Sequence, residues 1–150
     1  MEVPGGDKLM SPRMRMGILC DHAIVGQDGK LSLIGLFDRL SVPSLPIQHP
    51  RFFLVAVIDI APGTYTVSVE FLDPTGHNVL QGQGFSVPVT VASDNERGNF
   101  VAELNMLPLE FSGRYTFVLS VSDLRIGTVV LDVDVARPTL VPNQIPVGQA

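Results

Sequence analysis

Cysteine, aspartate and histidine stand consecutively at Cys20, Asp21 and His22, offering a nucleophile, a carboxylate and a base. A thiolate attacks an electrophile when a neighbouring base takes its proton and the site is electropositive and partly open. On a strand, however, the period of two sends Cys20 and His22 to one face and Asp21 to the other. The triplet therefore does not converge on one atom. In the phase where Met14, Met16, Ile18, Cys20, His22 and Ile24 share a face, Cys20 is a small buried hydrophobe. His22 then lies near the strand's end, within reach of water or a backbone carbonyl.

The same spacing supplies two potential metal ligands, with His49 or His77 as a third, but neither of those histidines belongs to a ligand motif. No metal and no cofactor is the expectation, and Cys20, His22 and His49 are the alternative set for an enzyme. Asp132 and Asp134, also two apart, would suit calcium only beside an oxygen-rich loop, which the sequence lacks. They read better as carboxylates on a solvated or edge strand that resists aggregation. Nothing selects one acid pair for glycoside hydrolysis, and there is no Gly-x-Ser-x-Gly elbow and neither phosphate-binding glycine pattern. The "GQGF" stretch at 82–85 lacks a following helix and reads as a bulge or a tight backbone approach. No catalytic residue is assigned.

These side chains need elements to hold them, and 150 residues suffice for one domain with a sizeable core. Period-two alternation recurs between turn residues, while no long window keeps a helical stripe. "TYTVSVEF" puts Tyr65, Val67, Val69 and Phe71 on one face, and "RYTFVLSV" does the same with Tyr115, Phe117, Leu119 and Val121. "GTVVLDVDV" follows, opposing Val129, Leu131, Val133 and Val135 to its aspartates, which predicts a hairpin around residues 123–125. Eight strands are expected, near 13–25, 30–42, 51–60, 63–72, 78–91, 98–107, 113–122 and 126–136. They predict an all-β chain: a two-sheet antiparallel β-sandwich, immunoglobulin-like or jelly-roll. Phe52 to Ile58 is continuously apolar, as in a strand covered on both faces or central in its sheet, and Pro88 marks an edge. "GQDG" at 26–29 predicts a four-residue hairpin loop. "GTYT" at 63–66 and "GRYT" at 113–116 echo each other, by duplication or by convergence on a good strand start; two sheets each containing one such hairpin would make an immunoglobulin-like or jelly-roll sandwich. Residues 1–12 read as a flexible leader, 13–136 as the domain, and 137–150, with Pro138, Pro142 and Pro146, as an extended tail.

Charge narrows the function. The net charge of −5 comes from 15 acidic and 10 basic residues spread singly, without the basic stripe that a nucleic acid requires. A single cysteine gives no intrachain disulfide, and the first twenty residues hold no signal-peptide apolar core. No run approaches a membrane span, so a soluble, cytoplasmic protein without nucleic-acid or membrane partners is expected. With 45% hydrophobic and only 17% charged residues, part of the surface is expected to be an interface.

The succession "LCDHA", "GKLSLIGLFDRL" and "HPRFFLVA" resembles a family of small, uncharacterised bacterial proteins grouped as a domain of unknown function. The resemblance covers residues 18 to about 56. It implies a compact bacterial β-sandwich, and it marks Cys20, Asp21, Gly35, Phe37, Asp38 and Arg51 as positions of the family's pattern. Gly35 sits where "LSLIGLF" changes phase, which puts Leu31 and Leu33 on a face with Phe37 and calls for a bulge or close packing. Arg51 is expected to pair with Asp21 or Asp38, since a guanidinium suits carboxylate geometry. A non-catalytic protein-interaction or structural module, self-associating or bound to a protein partner, is the reading that follows. A small-ligand or metal-dependent enzyme and a component of a phage-like or secretion assembly are the alternatives.

Overall fold

The computed structural model describes residues 11–80, 84–94 and 96–136. The expected leader, apart from Ser11 and Pro12, and the expected tail lie outside the described residues. Nine strands form among the described residues: β1 (Arg13–Val25), β2 (Leu31–Phe37), β3 (Arg39–Val42), β4 (Ile47–Asp59), β5 (Gly63–Leu72), β6 (Phe85–Val91), β7 (Gly98–Leu109), β8 (Gly113–Val121) and β9 (Leu124–Val135). They build a four-stranded sheet in the order β2-β1-β4-β7 and a five-stranded sheet in the order β3-β9-β8-β5-β6. The chain is a two-sheet, all-β sandwich. Every pairing is antiparallel except β3 on β9.

Alternation decides which side chains fill the space between the sheets. Val67, Val69 and Phe71 of β5, with Tyr115, Phe117, Leu119 and Val121 of β8, are buried in one cluster with Phe52, Leu54, Phe100 and Leu131. Aromatic rings occupy its centre: Phe71 lies 4.4 Å from Phe117 and 5.1 Å from Tyr115, centroid to centroid. Such contacts add roughly 0.5–1.5 kcal/mol each beyond burial.

Three strand boundaries differ from expectation. The strand expected over 30–42 is two strands in different sheets, because the chain changes sheet at Asp38, whose carbonyl accepts the Asp132 amide at 2.9 Å. The 51–60 strand starts earlier, at Ile47; Pro50 is tolerated because it lies beyond the last β1–β4 pair, Cys20 with Phe53. The 78–91 strand starts only at Phe85, with Asn78 making an isolated bridge to Leu72. Pro88 does lie on an edge strand, as its missing donor requires.

The shared face expected from Met14 to Ile24 is broken at both ends; at the far end Ile24 is exposed while its neighbour Ala23 packs with Cys20. A bulge between Met14 and Met16 turns Met14 into the main core. Asp132 and Asp134 lie on β9, which is an interior strand, and not at an edge. There Asp132 takes two hydrogen bonds from Arg114, at 2.8 and 3.1 Å, and Asp134 accepts one from Ser41 at 2.8 Å.

The Gly-x-Tyr-Thr echo has a common cause. Tyr115 at the head of β8 donates its hydroxyl to the Phe111 carbonyl at 2.9 Å and accepts the Glu110 and Phe111 amides at 3.1 and 3.0 Å. Tyr65 at the head of β5 likewise donates to Ala61, four residues back, at 2.7 Å. A tyrosine hydroxyl tying a strand's start to the preceding backbone is the tyrosine corner of immunoglobulin-like sandwiches. The glycine two residues before each tyrosine takes a positive φ, +150° at Gly63 and +129° at Gly113, a region open to glycine. Both corners lie in the five-stranded sheet, on neighbouring strands, and not one in each sheet.

Candidate functional site

The residues singled out by their chemistry gather where the β1–β2 hairpin bends. The turn lies where it was expected, but five residues, Gly26 to Lys30, separate the strands and not four; the Gly26 amide is bonded to the Lys30 carbonyl at 2.8 Å and Gly29 has φ +85°. The arms, however, do not continue straight from the sheet. Beyond Cys20, β1 leaves β4, and the Gly29 carbonyl accepts the Asn99 side-chain amide at 3.1 Å. Asn99 pairs with Val57, four residues along β4 from Phe53, the partner of Cys20. The far half of the hairpin therefore doubles back across the outer face of the four-stranded sheet.

Gly35 makes the bend. It lies opposite Asp21 in the pairing register, has φ +72°, and a Cβ there would collide with the Asp21 carboxylate. Close packing at Gly35 was expected, but the phase differs. Leu31 and Leu33 pack with Ala23 onto a second apolar cluster of Cys20, Phe53 and Val55, joined by Ile18 and Val101. Phe37, past the bend, faces the main core and meets Phe52 edge-on at 5.5 Å. Leu31 and Leu33 thus do not share a face with Phe37. The folded hairpin is also why Phe52 to Ile58 is continuously apolar: β4 is covered by the main core on one face and by the hairpin on the other.

Inside this cluster Cys20 is fully buried. Burial pushes its thiol up, against the smaller opposing effect of hydrogen bonds from the His22 and Ile34 backbones, while the nearby Asp21 charge pushes it up further. A protonated, enclosed thiol is a poor nucleophile. His22 sets its ring edge-on to Phe53 at 5.5 Å. His49 lies on the opposite side of β4, against Phe52 at 5.3 Å, and burial holds its imidazole below the ordinary range, the Asp21 charge opposing. Cys20, His22 and His49 are therefore not brought to one point. Among the described residues no group of three or more His, Cys, Asp or Glu side chains is placed to hold a metal ion. His77 is remote, in the turn after β5, where its Nδ1 is 2.7 Å from the Thr75 hydroxyl.

Arg51 departs from expectation. Its Nε pairs with Glu103 at 2.9 Å, and its guanidinium lies over the Phe53 ring, 5.2 Å from the centroid. Parity explains this: Arg51 points outward with Phe53, and Glu103 lies opposite Phe53 on β7, whereas Asp21 is turned against Gly35 at the bend. Arg51 roofs the outer cluster and does not tie the strands through an aspartate there.

One charge cluster escaped the linear reading. Arg15 and Arg97 reach Asp59 through Nε at 3.1 and 3.2 Å, and Arg13 at 3.8 Å. The Arg13–Asp59 register and the two-residue spacing of Arg13 and Arg15 are its only local signs. All three arginines are at least half exposed, so these are screened surface pairs.

A family model described as a family of unknown function, DUF6941, matches residues 15–134. No curated protein matches the chain. Among solved structures, similarity extends to a Pseudomonas fluorescens alkylpurine DNA glycosylase bound to DNA containing an abasic site analog, with 10% identity and a TM-score of 0.47 over 83% of this chain and 30% of that one. An immunoglobulin-like protein from Pseudomonas aeruginosa is similar at 11% identity and a TM-score of 0.42, over 83% of this chain and 98% of that one. A Bifidobacterium dentium beta-glucuronidase is similar at 11% identity and a TM-score of 0.38, over 84% of this chain and 18% of that one. The chain thus spans less than a third of the glycosylase and of the glucuronidase.

Proposed function

The chain belongs to DUF6941, a family of unknown function, and on that footing we propose that it is a non-catalytic interaction module that associates with further copies of itself. One observation carries this reading. Of the nine large apolar side chains exposed among the described residues, five (Met16, Ile24, Val25, Ile34 and Leu36) belong to the β1–β2 hairpin. Apolar residues scattered singly need no explanation, but a concentration on one hairpin marks a contact surface. The chemistry around Cys20 supports the non-catalytic half, since its thiol is enclosed and neither His22 nor His49 is set to take its proton.

Light scattering at increasing concentration, on the full chain and on a chain ending at Ala136, tests the reading. Both forms should associate. A monomer in both refutes it, and association confined to the full chain would transfer the contact from the hairpin to residues 137–150.

A further inference from the structure

The far half of the β1–β2 hairpin is tied to the rest of the sandwich at few points. Beyond the Cys20–Phe53 pair its two strands pair only with each other, and no residue from Asp21 to Leu36 is more than partly buried. Ala23, Leu31 and Leu33 rest on the cluster of Cys20, Phe53 and Val55. At the tip, the one hydrogen bond to the sheet found among the described residues is the exposed bond from Asn99 to Gly29. A cavity of about 520 Å³ lies there, lined by Gln27 and Gly29 of the tip and by Val57, Arg97 and Asn99 beneath it. Few buried apolar contacts and exposed hydrogen bonds characterise segments that open at low cost.

Both strands also loosen at one level. The pairing runs from Leu19–Phe37 to Cys20–Leu36 and resumes at His22–Ile34, passing over Asp21 and Gly35. Gly35, at φ +72° and without a Cβ, has the freest backbone angles a chain offers. A hinge consists of a few such positions that absorb the change in angle while the elements on either side stay rigid. We infer that residues 22–34 form a strap that swings off the sheet as one unit about the Asp21–Gly35 level, uncovering Cys20, Phe53 and Val55. The core between the sheets takes no side chain from residues 22–34, so it keeps all its contacts when the strap opens. The strap thus switches the outer face of β4 between covered and uncovered within a folded protein, and it does so in a single chain, apart from any self-association.

Cys20, the chain's single cysteine, reports the opening. Iodoacetamide labelling of the dilute wild-type chain in rising urea, with amide hydrogen exchange beside it, separates opening from unfolding. Native labelling should run roughly 10²–10⁴-fold slower than in the denatured chain, the range for giving up a few half-buried aliphatic contacts. It should respond to urea far less steeply than unfolding does, because opening exposes little surface. Tyr115→Phe, which loosens the opposite sheet, should leave the native rate unchanged. Asn99→Ala acts at the tip, four register positions from the Cys20 level, and should raise the rate about two- to tenfold, the worth of one hydrogen bond. Amides bonded across the strap should stay about tenfold or more better protected than the thiol, since the strap moves with its own pairing intact. Labelling as fast as in denaturant, labelling with the full urea slope of unfolding that rises with Tyr115→Phe, or a rate indifferent to Asn99→Ala overturns the strap. Strap amides that exchange in step with labelling overturn it too, by showing that the hairpin melts and does not swing.

Discussion

Replacing Tyr115 with phenylalanine removes one oxygen atom and, with it, the ties of a whole corner. The Tyr115 hydroxyl donates to the Phe111 carbonyl and accepts the Glu110 and Phe111 amides, all within 3.1 Å, while its ring is fully buried against Phe71. A typical hydrogen bond contributes about 1 kcal/mol net, and a buried group left without its partner costs about 1–3 kcal/mol. These backbone groups are only part-buried, and water can reclaim some of them, which places Tyr115→Phe at about 2–4 kcal/mol. Tyr65→Phe gives up one short bond, to Ala61 at 2.7 Å, and a longer one to Pro62 at 3.4 Å, and should cost about 1 kcal/mol. Urea denaturation of the two variants and the wild type, fitted with a common slope, measures the difference. In a chain of this size each kcal/mol corresponds to about 2–4 °C in melting temperature, so Tyr115→Phe should also melt clearly below Tyr65→Phe. Equal costs, or a larger cost at Tyr65, would refute the view that the β8 corner pins the sandwich through its three bonds.

The bend makes a second prediction: Gly35→Ala should destabilise by about 2–4 kcal/mol, from a positive φ and a collision with Asp21, and Asp21→Gly in the same chain should restore part of that in denaturation curves. His49 is held below its ordinary pKa by burial, so folding disfavours its protonation; stability is full above about pH 6.5 and declines as pH falls below it. His49→Gln should flatten the decline in urea midpoint between about pH 7 and 5. Cys20, enclosed and with its thiol pushed up, should resist iodoacetamide in the native chain and react within minutes in denaturant; fast native labelling would show that the doubled-back hairpin does not cover it.

Local pattern determined a good deal of this protein. Alternation placed Val67, Val69, Phe71, Tyr115, Phe117 and Leu119 in the core, Pro88 assigned its strand to an edge, and the glycines around Asp28 set the first hairpin's turn. Each follows from residues within one strand or one turn, where a period of two or a missing donor acts without reference to the rest of the chain. Alternation names two faces but not what lies against them, so the partner of Arg51 stayed open until β7 placed Glu103 beside it. It also takes a strand to be straight. Asp38 and Gly35 bend or redirect the chain through backbone angles that no side-chain period records, and the packing of Leu31 and Leu33 onto Phe53 and Val55 follows from that redirection. Cys20 is where the two levels meet: its sequence identified a buried thiol, and only the hairpin folding back over β4 supplied the layer that buries it.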